Sequence, residues 1–77
     1  MNNERRKSLK MVVCAIDDIV NDLTDIRNEE QDAYDNLPEG LQESERGEQI
    51  WENVDAIDSI IADLENAADE IDELISN

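Results

Sequence analysis

The residues in this chain that could do chemistry are carboxylates, one thiol and a few hydroxyls. There are 22 Asp and Glu residues, a single Cys14, serines at positions 8, 44, 59 and 76, and no histidine. Paired acids act as general acid and base only when a concave, partly dry pocket separates their affinities for protons. The hydroxyls lack a histidine to activate them for nucleophilic attack. Asp17, Asp18, Asp22 and Asp25 follow one another at helical intervals, whereas a calcium loop needs an irregular oxygen-rich turn bent at glycine. Cysteine–histidine zinc sites and the Glu-x-x-His sites of di-metal bundles are ruled out by composition. We therefore expect no catalytic residue, no metal ligand and no cofactor. A single thiol cannot close an intramolecular disulfide, and Cys14 is expected to serve as a small packing residue.

The elements that would carry these side chains follow from the apolar spacing. Leu9, Val12, Val13, Ile16, Ile19, Val20, Leu23, Ile26, Ala33, Tyr34 and Leu37 recur at steps of three and four, which predicts one helix over about 4–34. No Gly or Pro interrupts it. Arg27 and Glu30 weaken the stripe and are expected to form a polar layer or to reach sideways to solvent. A second series, Ile50, Val54, Ile57, Ile61, Leu64, Ala68, Ile71 and Ile75, predicts a coiled-coil-like helix over about 45–75. Ile60, Ala67 and Leu74 widen that stripe beyond what one partner helix covers.

The intervening residues 35–44 hold the only proline and one of two glycines. Asn36 with Glu39 three residues on fits a capping box, predicting a short helical turn at about 37–42, and Ser44 fits the cap of the second helix. Reversal near residues 39–42 sets Leu9 opposite Ile75, Leu23 opposite Ile61, and Tyr34 near Ile50 and Trp51. The expected fold is thus all-α, a single antiparallel helical hairpin about 45 Å long at 1.5 Å per residue. Seventy-seven residues in two helices make a thin core. Homodimerisation into a four-helix bundle is the expected remedy; the alternative is a hairpin that keeps part of its apolar face for a different protein, with Met11, Cys14 and Ala15, off the main stripe, as the first candidates for that contact patch.

Charge is distributed unevenly along this frame. The formal net charge is -16, and Arg5, Arg6, Lys7 and Lys10 make up four of the six basic residues. These cations are expected to pair with Asp69, Glu70, Asp72 and Glu73 on the returning helix. The acids elsewhere would repel phosphates, so direct nucleic-acid binding is not expected. The short apolar run Met11–Ile16 is too brief for a membrane span of roughly 20 residues, and a soluble, cytoplasmic protein is expected. Asp18, Asp22, Asp25, Glu29, Glu52, Asp55, Asp58, Asp63, Glu65 and Asp69 should form acidic outer faces. Tyr34, Leu37, Leu41, Arg46 and Trp51 should gather at the hinge, either closing the bundle or serving as a recognition tip.

The segment from Glu29 to Glu48 reads EEQDAYDNLPEGLQESERGE. It resembles the hinge pattern E-E-Q-x-A-[YF]-D-N-L-P-E-x-L-Q-x-S-E-R-G-E of small acidic hypothetical proteins from phages and prophages of Gram-positive bacteria. The resemblance covers about a quarter of the chain. It implies a helical hairpin and a mobile-element setting in a bacterial host, and it brings no catalytic residue. In that setting a negatively charged rod is expected to bind and inhibit a basic, nucleic-acid-binding host protein in the manner of a DNA mimic. The alternative is a structural or regulatory helical module that selects its partner through the apolar seam. Acidic helix faces can also serve solubility alone.

Overall fold

A computed structural model describes residues 1–77. Helix α1 spans Asn3–Asp35 and helix α2 spans Glu45–Ser76, and the two pack side by side as an antiparallel hairpin measuring 58 × 15 × 12 Å over its Cα atoms. The hairpin is longer than the sequence estimate because each helix gains a residue or two at its ends and the hinge adds its own length.

Local chemistry sets both helix starts. The Asn2 side chain accepts a hydrogen bond from the Arg5 amide at 2.8 Å, and that of Ser44 accepts from the Gly47 amide at 3.4 Å. The Ser44 hydroxyl also donates to the Leu41 carbonyl. Between the helices lie two successive turns, closed by Leu41 N–H to the Pro38 carbonyl (3.0 Å) and Ser44 N–H to the Leu41 carbonyl (3.1 Å). Residues 37–42 therefore do not form the helical turn expected there. Asn36 caps the end of α1, its N–H bonded to the Asp32 carbonyl, instead of opening a capping box with Glu39. Gly40 supplies the left-handed backbone, φ 89°, that reverses the chain.

Two close approaches lock the hinge. The Gln42 side chain donates from Nε2 to the Tyr34 carbonyl at 3.2 Å, tying the loop to the last turn of α1. Gly47 is buried, and a Cβ there would stand 2.6 Å from the Gln42 carbonyl carbon and 2.7 Å from the Leu41 oxygen. A glycine inside the first turn of α2, where propensity would disfavour it, is thus required by the backbone of the hinge.

Across the seam α1 offers Arg6, Leu9, Val13, Ile16, Val20, Leu23, Arg27, Glu30 and Tyr34, all half-buried. Opposite them α2 offers Gly47, Ile50, Val54, Ile57, Ile61, Leu64, Ala68, Ile71 and Ile75. The register is fixed by cross-helix pairs. Arg27 faces Asp58 (3.0 Å), Glu30 accepts from Asn53 (2.9 Å), and Arg6 reaches the Asn77 carbonyl (3.4 Å). The expected polar layer at Arg27 and Glu30 is present in this form. Burial is nevertheless thin: only Gly47, Val54 and Ala68 are buried, and Val54 alone is a fully enclosed large side chain.

Candidate interaction surface

The hairpin has two long sides that differ in character. Positions that follow a core residue by one step lie on one side, where Asp17 of α1 meets Glu65 and Asp72 of α2. With Asp69, and with Val13, Val20, Asn21 and Ala68 as floor and walls, they line an open cleft of about 340 Å³. Four carboxylates converge on it without a cation among the lining residues. Its chemistry suits an incoming guanidinium or ammonium group, which carboxylates recognise by charge-assisted hydrogen bonds. Asp17 and Asp72 lie outside the acidic set expected from the sequence. The available signal was their heptad position: both immediately follow core residues, Ile16 and Ile71, and so reach the groove between the helices.

The other long side carries the residues that precede a core position by one step. In an antiparallel helix pair these positions on both helices flank the same edge of the seam, opposite the acidic cleft. Nearest the seam on this side lie Val12, Ile19, Ile26 and Ala33 of α1 and Asn53, Ile60, Ala67 and Leu74 of α2, and farther out it is bordered by Asp22, Glu29, Asp63 and Glu70. Val12, Ile19, Ile26, Ile60 and Leu74 are between 44 and 52% exposed. The first three were expected inside the stripe that packs the hairpin, but the partner helix covers only part of that width. This side, to which Ala15 also belongs at three residues from Val12 and four from Ile19, carries most of the exposed large apolar side chains. Met11 points outward at 74% exposed, and Cys14 is exposed, so its expected packing role is not seen.

Every residue of the acidic set is exposed: Asp18, Asp22, Asp25, Glu29, Glu52, Asp55, Asp58, Asp63, Glu65 and Asp69. Only Asp58 is ion-paired, with Arg27, and that bridge is the single one in the chain. The expected pairing of Arg5, Arg6, Lys7 and Lys10 with Asp69, Glu70, Asp72 and Glu73 is therefore absent. Long cationic side chains at an exposed helix end gain little from such a contact and lose conformational freedom by making it. Arg6 instead donates to the terminal carbonyl of Asn77, bringing positive charge to the end of α2, whose own last turn has no basic residue. Asn3, Arg6, Lys7 and Lys10 form a shallow basic cleft around Ile75. One end of the rod is cationic and the remainder anionic.

At the hinge, the Tyr34 and Trp51 rings lie 5.8 Å apart at 50°, and Tyr34 and Leu37 are half-buried. Trp51, Leu41 and Arg46 are exposed, the first two at 52% and 46%. Tyr34, Trp51, Gln42, Gly47, Glu48 and Glu52 enclose a small cleft of about 190 Å³. Tyr34 and Leu37 thus help close the end of the hairpin, while Trp51, Leu41 and Arg46 remain available at its rim. No His, Cys, Asp or Glu cluster has metal-holding geometry, and no helix is long and apolar enough to cross a membrane. No protein-family model, curated protein or solved structure matches the chain.

Proposed function

We propose that this chain is a non-enzymatic interaction protein that binds, as a homodimer, to the basic nucleic-acid-binding surface of a host protein and blocks it. The observation that carries this reading is the state of the carboxylates: 22 acids on a 58 Å rod, of which one is ion-paired. Duplex DNA carries one charge per roughly 1.7 Å of axis, or about 34 over the same length. A single hairpin at -16 carries about half of that, and two copies carry about -32. The dimer, not the monomer, matches the line charge of a duplex. The resemblance of the hinge to phage and prophage proteins supports a setting in which such an inhibitor acts in the host cytoplasm.

The test is capture of host proteins on the tagged chain across a salt series, with a duplex-DNA competition. The reading expects a DNA- or RNA-binding partner released by salt and displaced by duplex. Replacing Asp18, Asp25, Asp55, Glu65 and Asp69 by their amides should abolish capture without loss of helicity. Capture that is indifferent to salt, or that tolerates bound DNA, refutes it. A second reading has the uncovered apolar side select a different protein. It is favoured only by the exposure of Val12, Ile19, Ile26, Ile60 and Leu74, and it expects capture to survive the amide series.

A further inference from the structure

The hinge cleft opens on the same side of the hairpin as the acidic cleft. Trp51 follows the core residue Ile50 by one step, as Glu65 and Asp72 follow Leu64 and Ile71. Both aromatic residues of the chain, Tyr34 and Trp51, line the hinge cleft together with Glu48 and Glu52. The two rings are tilted at 50° with centroids 5.8 Å apart, so they adjoin as walls instead of stacking face to face, and Trp51 is left 52% exposed. Glu48 and Glu52 stand one helical turn apart, and neither is ion-paired. No cation lines the cleft. Arg46, the nearest in sequence, sits five residues before Trp51 and so about 140° around α2 from it.

An indole face flanked by two carboxylates attracts a cation twice over, through the negative face of the ring and through the acids beside it. A guanidinium uses both. It is planar and weakly hydrated, so it lies against the ring while its fork of N–H donors reaches carboxylate oxygens, whereas an ammonium is a compact, strongly hydrated charge. The cleft, at about 190 Å³, admits the end of one side chain and not a folded segment. We propose that it takes an arginine side chain of a basic partner, and that this arginine anchors the partner along the acidic side of the rod. Glu65 lies 14 residues beyond Trp51, about 21 Å at 1.5 Å per residue, so one basic surface of that reach engages both clefts. The identity of the partner rests on the proposed function, whereas the selectivity of the cleft is a property of this chain alone.

Trp51 is the single tryptophan, so its fluorescence reports on the cleft directly. Titration of the full chain with a capped Gly-Arg-Gly peptide at about 0.15 M NaCl should shift the emission saturably in the millimolar range. The matching lysine peptide should bind at least about 3-fold more weakly, and the neutral citrulline peptide not at all. Glu48→Gln with Glu52→Gln should weaken arginine binding at least about 10-fold. Glu65→Gln with Asp69→Asn removes the same charge about 20 Å away, beyond two screening lengths of about 8 Å, and should change it less than about 2-fold. Trp51→Leu, followed through the Gly47 amide resonance, should lose at least about 5-fold, with circular dichroism checking the helices of each variant. Absence of saturable binding, equal binding of the lysine peptide, or equal loss from the two acid pairs overturns the inference, because cations would then only gather in the field of the rod. Undiminished retention of a captured host protein by Trp51→Leu overturns the anchoring role. Either result leaves salt-sensitive, DNA-displaceable capture and the proposed function standing. Saturable arginine binding with no nucleic-acid-binding protein captured has the opposite meaning: the cleft stands and the proposed function falls.

Discussion

Replacing Gly47 by alanine sets helix propensity directly against tertiary contact. Within a helix Ala is favoured over Gly by about 1 kcal/mol, so propensity alone expects the variant to be more stable. The structure reverses the sign. A Cβ at this position lies 2.6 Å from the Gln42 carbonyl carbon and 2.7 Å from the Leu41 oxygen, and these are backbone atoms of a turn held by its own hydrogen bonds. They cannot swing aside as a side-chain tip would. Relief requires the first turn of α2 to move off the hinge, straining the Gln42–Tyr34 hydrogen bond, worth about 1 kcal/mol, and loosening the Tyr34–Trp51 contact. Overpacking of this kind costs about 1–3 kcal/mol net of relaxation. For a domain of this size that lowers the melting temperature by about 4–24 °C, read by circular dichroism at fixed protein concentration. Gly40→Ala is the comparison: its Cβ meets nothing within 4 Å, and its φ of 89° alone should cost about 1 kcal/mol. A Gly47→Ala protein that melts at or above the parent temperature refutes the reasoning, because it would mean that the hinge does not press on the start of α2.

The remaining predictions concern charge and core. Raising NaCl from about 0.01 M to about 1 M shortens the screening length from about 30 Å to about 3 Å and should raise the melting temperature, since one ion pair offsets little of a net -16; a salt-independent melt would contradict this. A double-mutant cycle on Arg27 and Asp58 should return a coupling of about 0.2–1 kcal/mol, because their side chains are 29% and 49% exposed; a coupling above about 2 kcal/mol would show a drier contact than the geometry allows. Val54→Ala, at the one fully enclosed large side chain, should cost about 1–2 kcal/mol by denaturant titration. Met11→Ala, on the outermost face, should stay within about 0.5 kcal/mol of the parent.

Much of the fold was legible because each helix of a hairpin is written as a period of its own. The stripes around Ile16 and Ile61, the uninterrupted run before Pro38, and the Ser44 cap are local features, and the helices they predict are those observed. The polar layer at Arg27 and Glu30 was visible as a gap in the stripe, although its partners, Asp58 and Asn53, were not. The hinge was less legible. Asn36, Pro38 and Glu39 satisfy a capping pattern, yet the chain uses Asn36 to end α1, since two linked turns with Gly40 at positive φ bring α2 back more tightly than another helical turn would. The basic cluster misled for a different reason. Opposite charges on adjacent arms lower the energy at long range without settling into a defined contact, and the side chains of Arg5, Lys7 and Lys10 keep their freedom.

By itself the sequence determined the helical class, the reversal, the near-correct register and the acid-rich outer faces, because these depend on periodicity, breakers and composition. The tertiary structure decided which part of each wide apolar stripe the partner helix covers. It sorted the leftover positions into an acidic cleft at Asp17, Glu65 and Asp72 and an apolar side at Val12, Ile19, Ile26, Ile60 and Leu74. A heptad pattern assigns residues to a stripe about the helix axis, but the choice between its two edges depends on where the second helix sits. In an antiparallel pair, that placement brings like edges of the two helices together and makes one hairpin with two unlike sides.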